Sequence, residues 1–500
     1  MLFNSYSFII FFIIMLVMHN LPFSWKVKKI HLLIASYIFY AAWNPPFILL
    51  LWLSTVVDFF VGKALYHEEN KSKRKLLLVV SLIGNLGMLC FFKYGSFLLE
   101  NFVALVNTFG IDYHPAKPNI ILPAGISFYT FTTLCYTIDM YKRESKPVKT
   151  LLDFSLFVTF FPHLVAGPIV RPGQLVPQFE TPRTATRNQL VQGLFLLSLG
   201  LFMKVVVADT LLAGTSDSVF NFPNALAALD AWAGVLAFSG QIFFDFAGYS
   251  TCAIGIAMCL GFSLPENFRF PYAAIGFSDF WRRWHITLST WLRDYLYIPL
   301  GGNRGSKARV YMNLMITMLL GGLWHGASWT FVIWGGLHGL YLCVEKWIVG
   351  MRKPALKIVE LQPAIETPEK ETVTASASFA PTFLKSRQVR LFMAALLTFF
   401  LVNITWVFFR CPDFDSAWRM LASMFGFEKN GAPLLATIDI IKVLVVTVLL
   451  LATHWFMRNT SVLAVAQKTK WWLVGIIWSS MLILLVLSQK SSDSFIYFQF

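Results

Sequence analysis

The chain has 500 residues, of which 57% are hydrophobic, 13% are charged, and the formal net charge is +15. A soluble domain carries about 25% charged residues, so this composition excludes an ordinary globular enzyme, a disordered chain and a coiled coil. The remaining class is a polytopic membrane protein, and the 49 Phe, 17 Trp and 16 Tyr suit a lipid-facing surface.

The first apolar run, Leu2 to Met18, has no basic stretch before it and no small-residue cleavage site after it. It is expected to be a first span and not a cleaved signal peptide. A second span is expected at Ile30 to Trp43 and a third at Phe47 to Val61, across the Pro45-Pro46 turn. A fourth is expected at Leu76 to Leu98 and a fifth at Ile121 to Tyr141. Basic loops (Lys26 to Lys29, Lys63 to Lys75, Lys142 to Lys149) alternate with poorly charged ones. The positive-inside rule then predicts an outside N-terminus with those loops in the cytoplasm.

Leu151 to Val170 is apolar but broken by Pro162, His163, Gly167 and Pro168, so a re-entrant or kinked segment is expected. Leu190 to Leu212 and Ala231 to Phe262 read as long spans, joined by an outside loop from Ala213 to Asp230. Phe280 to Gly302 reads FWRRWHITLSTWLRDYLYIPLGG. Its apolar stripe includes His285, with Arg282, Arg283, Arg293 and Asp294 off it. This predicts one amphipathic helix at the cytoplasmic interface, capped by Ser278.

Leu319 to Gly339 reads LLGGLWHGASWTFVIWGGLHG. Its Gly322/Gly326 and Gly335/Gly339 pairs predict close helix approach. Met351 to Gln388 is hydrophilic and Pro-containing, and reads as a flexible cytoplasmic loop. Further spans are expected at Arg390 to Phe409, Ile438 to Phe456 and Trp471 to Leu487. The fold class is therefore all-α, a helical bundle of about 11 to 13 spanning or re-entrant segments. It forms a single domain over 1–500. No repeat at a fixed period is evident.

No GxSxG, Walker A, HExxH, GxGxxG or CxxC occurs, so no hydrolase, ATPase or metal site is expected. The basic charge lies in short loops, which predicts no nucleic-acid partner. Among nine His, those at 19, 31, 67 and 114 read as interfacial. His325 and His285 are the candidates for chemistry, while His338 reads as a packing residue. A buried imidazole with an unperturbed pKa of about 6.5 can act as a general base. With an activated thioester donor it needs no Ser or Cys nucleophile, so direct O-acyl transfer fits. Asp58, Asp139, Asp209 and Asp245 interrupt apolar runs. They support a rival reading, a proton-coupled transporter. A scaffold without activity is a third reading, which His285 and His325 oppose.

Five stretches in order resemble the membrane-bound O-acyltransferase superfamily, in the bacterial branch that holds the alginate O-acetylation membrane component. They are ILPAGISFYTFTTLCYTIDMY (121–141), FPHLVAGPIVRPGQLVPQF (161–179), FFDFAGYSTCAIG (243–255), and the two quoted above. The resemblance implies a funnel through the membrane, a catalytic His325 in its Trp-His-Gly context, and a second catalytic position at His285. Trp324, Trp284, Arg282, Arg283 and Ser289 flank them as substrate-binding candidates. It further implies a multi-pass protein of a bacterial inner membrane. The acyl donor would be acetyl-coenzyme A or an acyl carrier, with no permanently bound cofactor. A periplasmic acetyltransferase partner would take the group to polysaccharide. The alternatives within the class are D-alanyl transfer to teichoic acid and O-acetylation of peptidoglycan.

Overall fold

The computed structural model describes residues 1–116, 118–351, 387–428 and 431–488. The expected loop at Met351–Gln388 falls mostly outside the described residues. Among those residues the chain is helical, with no strand beyond one isolated bridge between Leu226 and Ala432.

In chain order the N-terminal half comprises α1 (Tyr6–Asn20), α2 (Trp25–Ala41), α3 (Ile48–His67), α4 (Lys71–Leu89), α5 (Gly95–Thr108), α6 (Ile126–Lys142), α7 (Leu151–Thr159), α8 (Pro172–Glu180), α9 (Arg187–Leu201) and α10 (Gly214–Phe220). Then follow α11 (Ala228–Cys259), α12 (Phe277–Trp281), α13 (Ile286–Leu292), α14 (Lys307–His325), α15 (Trp329–Met351), α16 (Arg387–Arg410), α17 (Phe414–Met424), α18 (Thr437–Met457), α19 (Val462–Lys468) and α20 (Trp471–Leu487). Pro45–His67, Lys71–Thr108, Arg187–Phe220, Ala228–Cys259, Arg387–Arg410 and Thr437–Met457 are long and apolar enough to cross a membrane. α1 and α20 are shorter apolar helices. The protein is a multi-pass membrane helical bundle.

Two long helical runs contain π turns, at Cys90–Tyr94 and Phe202–Ala213. The fourth span therefore runs on to Thr108, and the loop expected from Ala213 begins with helix α10. π turns are frequent at functional positions, and the first of them touches the site described below.

With hydrocarbon outside, apolar burial cannot hold the helices together, so close backbone contact must. Small residues supply it. A Cβ on Gly200 would lie 2.5 Å from Gly248 O, and one on Gly193 2.7 Å from Gly255 O, so α9 and α11 meet backbone to backbone. α14 and α15 do the same. A Cβ on Gly322 would fall 2.2 Å from Phe331 O and 3.0 Å from Gly335 Cα. One glycine of each expected pair, Gly322 and Gly335, makes this approach, while Gly326 lies past the end of α14 against the Phe331 ring and Gly339 packs on Met315 and Met318.

The break at Leu151 to Val170 is also as expected. α7 ends at Thr159, and the irregular chain from Phe160 to Val170 is buried throughout. Irregular backbone at membrane depth persists only where protein surrounds it. The expected helix at 280–302 requires correction. It is split by His285, whose φ of 42° lies in the left-handed region. Its first part starts at Phe277 after Gly276. The free amides of Phe277 and Ser278 are capped by the Glu345 carboxylate at 2.8 and 2.9 Å, not by the Ser278 side chain. The split arises because the extended segment around Asn267 takes the amides that a continuous helix would use. Ile286 N donates to Asn267 O at 2.9 Å, and Thr287 N to Asn267 Oδ1 at 3.2 Å. The apolar stripe faces protein and not lipid, and Trp284, His285 and Leu288 are fully enclosed.

A buried histidine pair as the candidate active site

α14 ends on His325, and the turn between α12 and α13 carries His285. The two rings approach to 6.5 Å between centroids. Both are buried, at 3% and 0% exposure. The expectation that His285 stands on one amphipathic helix at the interface is therefore corrected. The helix break folds His285 into the interior beside its partner.

Asn267 fixes the tautomer of His285. Its Oδ1 accepts from Thr287 N at 3.2 Å and Thr287 Oγ1 at 2.8 Å, while its Nδ2 donates to Ser250 Oγ at 3.1 Å. The oxygen is thus the atom facing His285 Nδ1, at 3.1 Å. Nδ1 then carries the proton and donates, which leaves a lone pair on Nε2. Nε2 is buried and has no protein hydrogen-bond partner. An imidazole with one nitrogen held by a neighbouring oxygen and the other open has the arrangement of a general base.

An aromatic shell surrounds the pair. Phe128 stacks on His285 at 6.2 Å, Phe246 meets it edge-on at 4.7 Å, and Trp324 lies 6.0 Å away. His325 meets Trp334 at 4.9 Å, Trp324 at 5.1 Å and Phe409 at 5.5 Å. Three cavities end on this shell. One of about 120 Å³ reaches Trp324, Phe128 and Lys93. One of about 600 Å³ between α9, α11 and α18 reaches Asn267 and Phe268. One of about 480 Å³ near Phe220, Ser328 and Arg410 reaches Phe331 and Phe409. None of these three is lined by either imidazole, so each approaches the pair to within one side chain.

The other sequence candidates divide. Trp324 lines a cavity and touches both histidines. Trp284 is buried and stacks on Phe280. Ser289 Oγ is spent on Trp284 O at 3.2 Å. Arg283 is committed to Asp279 at 2.8 Å and to Arg458 O at 2.9 Å, while Arg282 is exposed. His338 is buried and bonded to Thr405 at 3.1 Å, which is the packing role expected of it. His19, read as interfacial, is instead buried and meets Arg183 O at 3.0 Å.

The carboxylates of the transporter reading are all partnered. Asp58 accepts from Ser81 at 2.6 Å and Asn85 at 2.7 Å, and Asp139 from the Tyr295 hydroxyl at 2.8 Å. Asp209 and Asp245 both engage Lys204. Asp58, Asp139 and the shared Asp209–Lys204–Asp245 cluster thus use three separate sets of partners. The sequence reading missed Asn267, which lies outside the apolar runs. It also passed over Lys93, a lone charge inside one.

The family model of the membrane-bound O-acyltransferases matches residues 7–357. The chain is 40% identical to the probable alginate O-acetylase AlgI of Pseudomonas aeruginosa, over 80% of this chain and 70% of that one. It is 37% identical to the protein of the same name from Pseudomonas putida, over 95% of each. It is 38% identical to the peptidoglycan O-acetyltransferase of Helicobacter pylori, over 81% of this chain and 75% of that one. The chain belongs to the membrane-bound O-acyltransferase family.

Proposed function

We propose that this O-acyltransferase moves an acetyl group from a thioester to a hydroxyl on the pathway to a periplasmic or cell-surface polysaccharide. The donor is acetyl-coenzyme A or an acyl carrier on the cytoplasmic side of a bacterial inner membrane. A periplasmic acetyltransferase partner takes the group onward. The observation that carries the reading is the enclosed pair of imidazoles, His285 and His325, 6.5 Å apart. The names of the similar proteins, alginate O-acetylase and peptidoglycan O-acetyltransferase, support acetyl as the group and polysaccharide as its destination. D-alanyl transfer is supported less, since the Streptococcus thermophilus teichoic acid D-alanyltransferase is 28% identical over 50% of this chain.

In the proposed reaction His325 takes the proton of the acceptor hydroxyl as its oxygen attacks the thioester carbonyl. The C–S bond breaks, and the departing thiolate recovers that proton from the imidazolium. The Nε2 lone pair of His285, whose Nδ1–H is held by Asn267, stabilises the imidazolium formed on His325 and takes no proton of its own. A positioned base contributes about 10²- to 10⁴-fold. The test is His325→Ala, produced at wild-type level in the membranes of a strain deleted for this chain. Ester-linked acetate released by mild alkali from the cell envelope should fall to the level of the deletion strain, and His285→Ala should also lower it. Wild-type acetate with His325→Ala would overturn the reading. Release of D-alanine in place of acetate would reassign the group.

A further inference from the structure

Lys93 is a lone charge in the apolar run from Leu76 to Leu98, and an ammonium at membrane depth is costly unless it is paired. Its partners are backbone oxygens. Nζ donates to Trp324 O and to His325 O, at 2.8 Å each. The next residue, Tyr94, donates its hydroxyl to Leu323 O, also at 2.8 Å. Three successive carbonyls at the end of α14 are thus capped by two adjacent side chains, both presented by the π turn Cys90–Tyr94.

This replaces an ordinary helix ending. A helix leaves its last carbonyls without intrahelical partners, and a glycine in the left-handed conformation commonly closes it. Here Gly326 is extended, with φ −158° and ψ 150°, so the local chain supplies no such closure. These carbonyls therefore depend on side chains from elsewhere in the chain. The helix terminus carries roughly half a negative charge, and a cation there is worth more than a neutral donor. Lys93 also lies over the Trp324 ring, 5.8 Å from its centroid. It lines the cavity of about 120 Å³ that ends on the aromatic shell.

We propose that Lys93 is a positioning residue for His325. Its ammonium clamps the two peptide groups that flank the His325 Cα and holds the imidazole at its distance from His285. His325 is the last helical residue, and the chain turns away immediately after it. Without the clamp the terminal turn frays, and the imidazole loses its fixed distance to its partner. This inference rests on the proposed function of His325.

The experiment compares Lys93→Met, Lys93→Gln, Lys93→Arg and His325→Ala in the full chain, in the deletion strain, at matched membrane levels. The readout is the initial rate of alkali-labile acetate accumulation on the envelope. The thermal midpoint of each protein in detergent is measured alongside. Lys93→Met should lower the rate at least tenfold with its midpoint within a few degrees of wild type. Lys93→Gln, which keeps donors without charge, should fall in between, and Lys93→Arg should return the rate to within threefold of wild type. A Lys93→Met or Lys93→Gln rate within twofold of wild type would overturn the proposal. So would Lys93→Arg remaining as slow as Lys93→Met. If Lys93→Met fails to accumulate, Lys93→Gln against Lys93→Arg decides on the same terms. His325→Ala separates the two ideas. A fast His325→Ala defeats the assignment of the base, whereas a dead His325→Ala beside a fast Lys93→Met defeats only the clamp.

Discussion

Asn267→Leu tests the chemistry of the histidine pair most sharply, because the two side chains are close in volume and differ in the polar atoms that matter. The Asn267 oxygen accepts from three groups, Thr287 Oγ1 at 2.8 Å, His285 Nδ1 at 3.1 Å and Thr287 N at 3.2 Å. All lie in the buried interior. An orphaned buried donor costs about 1–3 kcal/mol. The Thr287 hydroxyl can turn elsewhere, which leaves two donors and a destabilisation of roughly 2–6 kcal/mol. The effect on rate is separate. With no acceptor at Nδ1, the proton is free to sit on Nε2 and remove the lone pair from the reacting side. A lost tautomer lock of this kind is worth up to about 10⁴ in a serine protease, and 10²- to 10⁴-fold is expected here. Asn267→Asp keeps an acceptor at the same place and should retain more than a tenth of wild-type activity. The assay is envelope ester content against protein level in the membrane. An Asn267→Leu protein present at normal level with more than half of wild-type acetylation would refute the reasoning.

Gly322→Val drives a side chain into Phe331 O and Gly335 Cα, both backbone atoms that cannot yield. It should cost about 3 kcal/mol or more and lower the detergent thermal midpoint, with Gly322→Ala milder. Burial alone would push the Asp294 carboxyl up, but bonds from Arg293 and Arg171 outweigh it and hold it below the ordinary carboxylate value. A depressed carboxyl stabilises the fold above its unfolded value, near 3.9, and loses that contribution as pH falls through its folded one. Wild-type stability should therefore drop on acidification below about pH 4, and Asp294→Ala should lack that part of the drop and lose about 1–2 kcal/mol at pH 7. Single cysteines at Ser72 and Asn221, with the native thiols removed, should react with an impermeant reagent from opposite faces of the membrane. Labelling of both from one face would overturn the orientation drawn from the basic loops.

Six of the expected spans coincide with helices long and apolar enough to cross, and they were legible because hydrocarbon imposes its length and polarity on such helices, whereas those expected at Ile30 to Trp43 and Ile121 to Tyr141 fall on the shorter α2 and α6. Gly322 and Gly335 were legible for a related reason, since only glycine lets two backbones touch. The break at His285 was not. The stripe Trp281, Trp284, Leu288 and Trp291 has the same period whether or not one residue between them turns left-handed. Only the amide contacts of a distant segment, at Asn267, decide it. That partner lies 18 positions from His285 in the chain, and nothing in its neighbourhood marks it. Lys93 carried a readable signal, a single charge at membrane depth. Its target did not, because Trp324 and His325 are more than 230 residues away and contribute only backbone oxygens.

The three cavities that end one side chain short of the imidazoles bear on the bilayer as much as on the reaction. A protein that hands a group from one side of an energised membrane to the other risks opening a wet path between two compartments held at different proton potential. Here Phe128, Phe246, Phe268 and Trp324 close around the pair. The rings that meet His285 are apolar on their faces, so they offer a water file few hydrogen-bond partners there. The same stack of rings denies bulk water a line of attack on a thioester carbonyl. On the proposed function, shielding of the histidine pair and shielding of the acyl donor fall to the same aromatic side chains.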